Sequence, residues 1–246
     1  YVRIDKRYLS ELPTGTTRGP KPTTIEPWAT MNYGPNLIAT YEIGDDGSNF
    51  AYKGIAVRLD GGTGGVARGR HWMIFDHDTL RIAAAWSGEG FIDWNGINFN
   101  GKHQVHPRVV GPVHFGNPTG PGWANPATGT FDETRLRGRD GRPYGPLPRE
   151  WAHYQGLYHF GNQVILAYTV GEARILEMPS YEIASGENDA DSQPNLILVR
   201  TLNVGPSPHE LLLKVAPLGT AAAVVGDKQS RLVERDGFIV LSIPAA

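Results

Sequence analysis

No cysteine occurs in the 246 residues, which excludes disulfides, Cys-ligated zinc, a thiol nucleophile and a haem attached through C-x-x-C-H. That absence is compatible with either redox compartment. Charge of one sign is not concentrated: 23 Lys and Arg stand against 25 Asp and Glu, the formal charge is −2, and no basic block stands out. Nucleic acid and anionic membrane surfaces, which select clustered positive charge, are therefore not expected as partners. No apolar run approaches the roughly 20 residues of a membrane-spanning helix, so no membrane span is expected. The opening Tyr1-Val2-Arg3-Ile4 does not resemble a signal peptide and has no initiator Met, as in a mature form or an excised piece of something longer. G-x-S-x-G, H-E-x-x-H and the P-loop are all missing. The Gly-rich stretch Gly61 to Gly69 has no Lys-Ser/Thr at its end and no helical pattern after it, so it does not read as a phosphate cradle. No repeat of fixed period is present, which argues against a propeller or solenoid.

What the chain does have is glycine (31) and proline (19), the residues of turns and ordered loops. Pro13, Pro20, Pro22, Pro27 and Pro35 crowd the first 35 residues and forbid regular helix or central strand there. Residues 1–35 are expected to be an extended arm, with Trp28 and Tyr33 anchoring its end, and residues 36–246 a single domain. Strand signals follow: Leu37 to Ile43 before the turn Gly44-Asp45-Asp46-Gly47, then Tyr52 to Leu59, where Ile55, Val57 and Leu59 point one way and Lys53 and Arg58 sit among the intervening positions. His71 to Phe75 and Leu80 to Trp86 read as a hairpin around Asp76-His77-Asp78-Thr79, with Phe91 to Phe99 and Arg108 to Phe115 beyond it. From Gly116 to Pro148 the pattern collapses into a long loop of the kind that is functional or mobile. Pro148 to Tyr154 predicts one or two helical turns ended by Gly156. Leu157 to Phe160 and Gln163 to Val170 form a hairpin about Gly161-Asn162, since Gly-Asn supplies positive φ. Arg174 to Met178, Asn195 to Val204, Glu210 to Ala216, Thr220 to Val225 and Arg231 to Ile243 complete the strands, the last folded at Asp236-Gly237. The expectation is an all-β fold: a β-sandwich of about a dozen antiparallel strands with long Gly/Pro-rich loops.

The stretch Arg70 to His114 is dense in residues that build sites. One reading is a metal site using His103-x-x-His106, His114, Asp76 and Asp78. Residues i and i+3 of a strand face opposite ways, so His103 and His106 converge only across a turn. Asp45-Asp46-Gly47-Ser48-Asn49 is oxygen-rich but lacks the loop length and distal Glu of an EF-hand. Ca²⁺ is the favoured ion if one binds, and no other cofactor is expected within this chain. A second reading is acid–base catalysis on a carbohydrate, by Asp76 or Asp78 with Glu89 or Asp93, or by His153, Tyr154 and Tyr158 abstracting a proton. The third is sugar binding, in which flat aromatic rings lie beside polar groups suited to hydroxyls. Its polar surface would be Arg70, His71, Asp76, Asp78, Arg81, Trp94, Asn95, His103 and His106, with Trp123 and Tyr158 as platforms. Against it stands the ordinary role of Trp as core and of Asp and Asn as turn formers. Trp123, in the Gly/Pro-rich loop, is the tryptophan least suited to a core.

The runs Asn49 to Leu59, His71 to Trp86, Gly90-Phe91-Ile92-Asp93, Gly156-Leu157-Tyr158 and Tyr168 to Gly171 resemble an uncharacterised domain of large planctomycete and verrucomicrobial proteins. Those proteins often carry a c-type cytochrome domain and propeller or dehydrogenase-like parts. The resemblance covers the chain from about Met31 onward. It implies an extracytoplasmic, periplasmic or secreted module of a multi-domain redox or polysaccharide-processing protein, with that protein's other domains as partners. It supplies no catalytic residues. Without a haem-attachment motif, any cytochrome role falls to another part of the parent protein. A non-catalytic module that binds carbohydrate or docks partner domains is the resulting expectation, and a hydrolase or lyase with a His/Asp/Tyr site is the alternative.

Overall fold

A computed structural model describes residues 37–40, 54–61, 69–93, 108–138, 141–184 and 195–246. Among these residues there are strands and no helix, so the fold is all-β. In chain order the first strands are β1 (Leu37–Thr40), β2 (Gly54–Arg58), β3 (His71–Asp76), β4 (Arg81–Ser87), β5 (Ile92–Asp93), β6 (Arg108–Val109) and β7 (Val113–Gly116). There follow β8 (Leu136–Arg137), β9 (Pro143–Tyr144), β10 (Ala152–Phe160), β11 (Gln163–Val170), β12 (Ala173–Ala184) and β13 (Asn195–Val204). The chain ends with β14 (Leu211–Pro217), β15 (Arg231–Arg235) and β16 (Phe238–Ile243). They form antiparallel sheets in the orders β1-β2-β3-β4-β7, β10-β11-β12-β13 and β14-β16-β15, plus the small pairs β5-β6 and β8-β9.

Local chemistry explains the tight hairpins. Phe160 pairs with Gln163 across Gly161-Asn162, and Gly161 has φ 57°. Arg235 pairs with Phe238 across Asp236-Gly237, whose φ angles of 51° and 81° are the double positive that a type I′ turn demands. The β3–β4 hairpin is less regular. Near its turn Phe75 faces Ile82, but Ile74 faces Ala84, so Ala83 is an extra residue on β4. That bulge shifts every later pair by one and brings His71 opposite Ser87 and Trp72 opposite Trp86.

Alternation then sorts the side chains. Met73, Phe75, Ile82 and Ala85 face a core that also contains Leu166, Tyr168 and Ile175 of the four-stranded sheet and Leu211 and Leu213 of β14. Trp72, Ile74, Ala84 and Trp86 occupy the opposite face of the first sheet, where the two indoles stack at 6.1 Å and Phe91 packs against Trp72 at 4.6 Å. Each large apolar side chain so buried contributes about 1.5–3 kcal/mol relative to exposure. Because the β14-β16-β15 sheet and loop residues also enter the core, the architecture is a set of antiparallel sheets and is not clearly a single sandwich.

Three local expectations are corrected. Pro148 to Tyr154 makes one turn, with the Trp151 and Ala152 amides both donating to the Pro148 carbonyl, and then enters β10 at once. The described part of Gly116 to Pro148 is not structureless: Trp123 bridges to Leu213, and Gly122 lies so close to the Leu80 carbonyl that a Cβ would stand 2.3 Å from it. Thr220 to Val225 forms no strand; it is a largely exposed loop with Val225 at the surface. The N-terminal arm with Trp28 and Tyr33, the Gly44 to Gly47 turn, the Asp45 to Asn49 cluster and Gly62 to Arg68 lie outside the described residues.

Candidate functional site

The β3–β4 hairpin carries most of the polar residues in question, and its two ends differ. At the turn, Asp76 is 4 % exposed and wholly engaged. Its Oδ1 accepts the amides of Asp78 (2.9 Å) and Thr79 (3.3 Å), and its Oδ2 accepts the Thr79 hydroxyl at 2.7 Å. Arg81 Nε stands 3.3 Å from the same Oδ2, and its Nη1 donates to the Asn117 carbonyl. Asp78 meets His77 Nδ1 at 2.9 Å, and the His77 ring lies 5.7 Å from that of Tyr154. Asp76 and Arg81 thus serve the turn internally and are not the open polar surface expected of them; a buried carboxylate and guanidinium persist only when paired in this way.

The other end is open. His71 continues the inward-facing set of Met73 and Phe75, at the rim where the first sheet leaves the core. Ser87, its cross-strand partner, places Oγ 2.8 Å from His71 Nδ1 and 2.7 Å from Nε2 of His114 on β7. Tyr181 of the four-stranded sheet covers the His71 ring at a centroid distance of 4.7 Å. Asp60 Oδ1 accepts the amides of Arg70 and His71, and exposed Arg70 and Glu89 pair at 3.5 Å. Burial lowers the pKa of both imidazoles; for His71 the nearby Asp60 opposes that shift while His114 and Arg70 add to it. One hydroxyl proton serves two rings, so one imidazole accepts from Ser87 and the other donates to it, which couples their tautomers.

Of the remaining expected residues, Trp123 and Tyr158 do not join this rim. Trp123 is 0 % exposed in the core, so the expectation of an accessible platform is corrected: its strand-like bridge to Leu213 turns the ring inward, where Nε1 donates to Tyr168 Oη at 3.3 Å. Tyr158 is 41 % exposed, on the face of β10 opposite buried Leu157, and accepts from Arg174 Nη2 at 3.3 Å. Trp94, Asn95, His103 and His106 lie outside the described residues. Among the described residues, no group of three or more His, Asp or Glu is placed to hold a metal ion.

Asp76, Asp78 and Glu89 do not assemble the carboxylate pairing needed for glycoside hydrolysis, and the side chain of Asp93 lies outside the described residues. Asp76 and Asp78 occupy the turn and Glu89 follows the far end of β4, a strand length of about 20 Å at ~3.3 Å per residue. Retaining and inverting glycosidases hold their two carboxyls about 5–5.5 Å and 6.5–9.5 Å apart. Burial also pushes the Tyr154 phenol up to about 12, which makes it a poor base at neutral pH.

Sequence reading missed a second buried polar network. Tyr168 Oη donates to Glu177 Oε2 at 2.6 Å, and Arg200 Nε, on a side chain 9 % exposed, donates to Glu177 Oε1 at 2.6 Å. Burial first and the Glu177 charge second raise the Tyr168 pKa, so that phenol stays a donor.

Residues 73–177 match the family described as "Domain of unknown function (DUF6797)". The match takes in a little under half of the chain, from within β3 to within β12, and includes Ser87 and His114. No curated protein and no solved structure matches the chain.

Proposed function

We propose that this chain is a non-catalytic binding module that takes a carbohydrate at the rim formed by His71, Ser87, His114 and Tyr181. The observation carrying the reading is the convergence of both imidazoles on the Ser87 hydroxyl beside an aromatic ring, at a half-exposed edge. Neutral imidazoles, a serine and a phenol offer both donors and acceptors, which suits hydroxyl-rich ligands, and Tyr181 supplies a ring for the apolar face of a sugar. Arg70 and Glu89 flank the rim and add charged donors and acceptors at its border. The scattering of Asp76, Asp78 and Glu89 supports binding over hydrolysis. The family resemblance supports placing the module in an extracytoplasmic multi-domain redox or polysaccharide-processing protein.

Glycan arrays followed by calorimetry on the purified chain test this. The expected result is binding to a polysaccharide class that His114→Ala weakens while the fold is retained. Failure to bind any fraction would refute it. A second reading, docking of a partner domain, is favoured by a separate feature. An open, mostly apolar groove of about 340 Å³ runs along the outer face of the first sheet between Ile74, Ala84, Val113 and Pro118.

A further inference from the structure

We propose that His71 Nδ1, His114 Nε2 and Ser87 Oγ form an open site for a single divalent cation of the Zn²⁺, Ni²⁺ or Cu²⁺ class. Water or a ligand oxygen completes the coordination. The inference is independent of the carbohydrate reading.

Three observations converge on it. The first is aim. Two imidazole nitrogens on different strands both point at one oxygen, 2.8 Å and 2.7 Å away. About a tetrahedral oxygen this sets the nitrogens roughly 4.5 Å apart, and two lone pairs on one ion at ~2.0–2.1 Å need them about 1 Å closer. His114 can supply that movement, and rotation of Ser87 about χ1 lengthens its two contacts to the ~3.3 Å that ligands of one tetrahedral ion require. It is exposed on β7, the edge strand of its sheet, which is bonded to β4 alone.

The second is the hydrogen-bond arrangement. One hydroxyl proton serves two rings, so one imidazole meets Ser87 with a bare nitrogen, the form that metal ligation needs. The ring that donates to Ser87 in the free protein takes its other tautomer when metal binds, so no net proton is lost at neutral pH. The third is the surrounding charge. Asp60, whose Oδ1 accepts the His71 amide, outweighs Arg70 in the charge felt by the His71 ring, which favours a cation over an anion. Imidazole nitrogen selects borderline first-row ions, whereas Ca²⁺ and Mg²⁺ require a set of oxygens that the described residues do not place here.

Calorimetric titration of the full chain with Zn²⁺, Ni²⁺, Cu²⁺ and Ca²⁺ near neutral pH tests the site. One equivalent of Zn²⁺ is expected, weakened about tenfold or more by His114→Ala and by His71→Ala. It should be unchanged in His209→Ala, which removes an exposed histidine elsewhere. Electron paramagnetic resonance of the Cu²⁺ form should show nitrogen hyperfine structure that His114→Ala diminishes. If half-buried His71 cannot be replaced without loss of fold, exposed His114 decides the matter alone. Absence of stoichiometric binding, an equivalent indifferent to His114→Ala, or equal binding of Ca²⁺ would each overturn the proposal.

Discussion

Glu177 is fully buried and holds two partners, the Tyr168 hydroxyl and the Arg200 guanidinium, so replacing it with Leu isolates a cation that is only 9 % exposed. Removing one partner of a buried ion pair costs about 3–5 kcal/mol, because the other charge remains without compensation. A domain of this size loses roughly 2–4 °C of Tm per kcal/mol, so Glu177→Leu should melt about 6–20 °C below the parent. Arg200→Met should cost a similar amount by leaving the buried carboxylate charge with only the Tyr168 hydroxyl as partner. The double variant removes both charges and leaves chiefly the Tyr168 hydroxyl without its acceptor, a penalty of about 1–3 kcal/mol. The double variant is therefore expected to be more stable than either single one, as read by chemical denaturation. If the two losses add instead, the pair contributes nothing through its coupling and this account of the core is wrong.

Other perturbations give equally definite expectations. Trp123→Ala should destabilise by about 3–5 kcal/mol in a urea titration, as for any large buried aromatic; a change near zero would mean that the ring lies at the surface. Asp76→Ala strips the turn of its acceptor and leaves Arg81 buried, and a loss of about 3–5 kcal/mol is expected by the same assay. Folded-state pKa values of His71 and His114 lie below 6.5, so the unfolded chain takes up protons first as pH falls. Their contribution is neutral above that value. A stability cost then accumulates from about pH 6.5 downward, until the folded-state values are passed. Denaturation midpoints across this window should fall with pH, and His114→Gln should flatten the slope.

What could be read from the sequence follows the range of the forces involved. Gly161-Asn162 and Asp236-Gly237 are local: the turn residues dictate φ, and the flanking alternation dictates the strands. The all-β class follows from the same signals. His71 was legible as a polar residue of interest, but its partner was not. A hairpin extended regularly from the Asp76–Arg81 pair sets His71 opposite Trp86, and only the extra residue at Ala83 moves Ser87 into place. Nothing in a run of three alanines reveals which one bulges. Trp123 sits among glycines and prolines that read as solvent-exposed loop, yet its partner strand, β14, lies some ninety residues further on. Glu177 and Arg200 likewise meet only across the β12–β13 register, where Pro179 faces Arg200 and Glu177 lies one diagonal away.

The proposed place of ligand recognition is the inter-sheet rim of His71, Ser87, His114 and Tyr181. Two-dimensional NMR of the chain, titrated with whichever saccharide binds in the array, addresses it residue by residue. Shifts confined to those four residues and the adjoining Asp60, Arg70 and Glu89 are the predicted result. Shifts centred on Tyr158 and Arg174, or along the groove at Ile74 and Val113 with the rim unmoved, would contradict it.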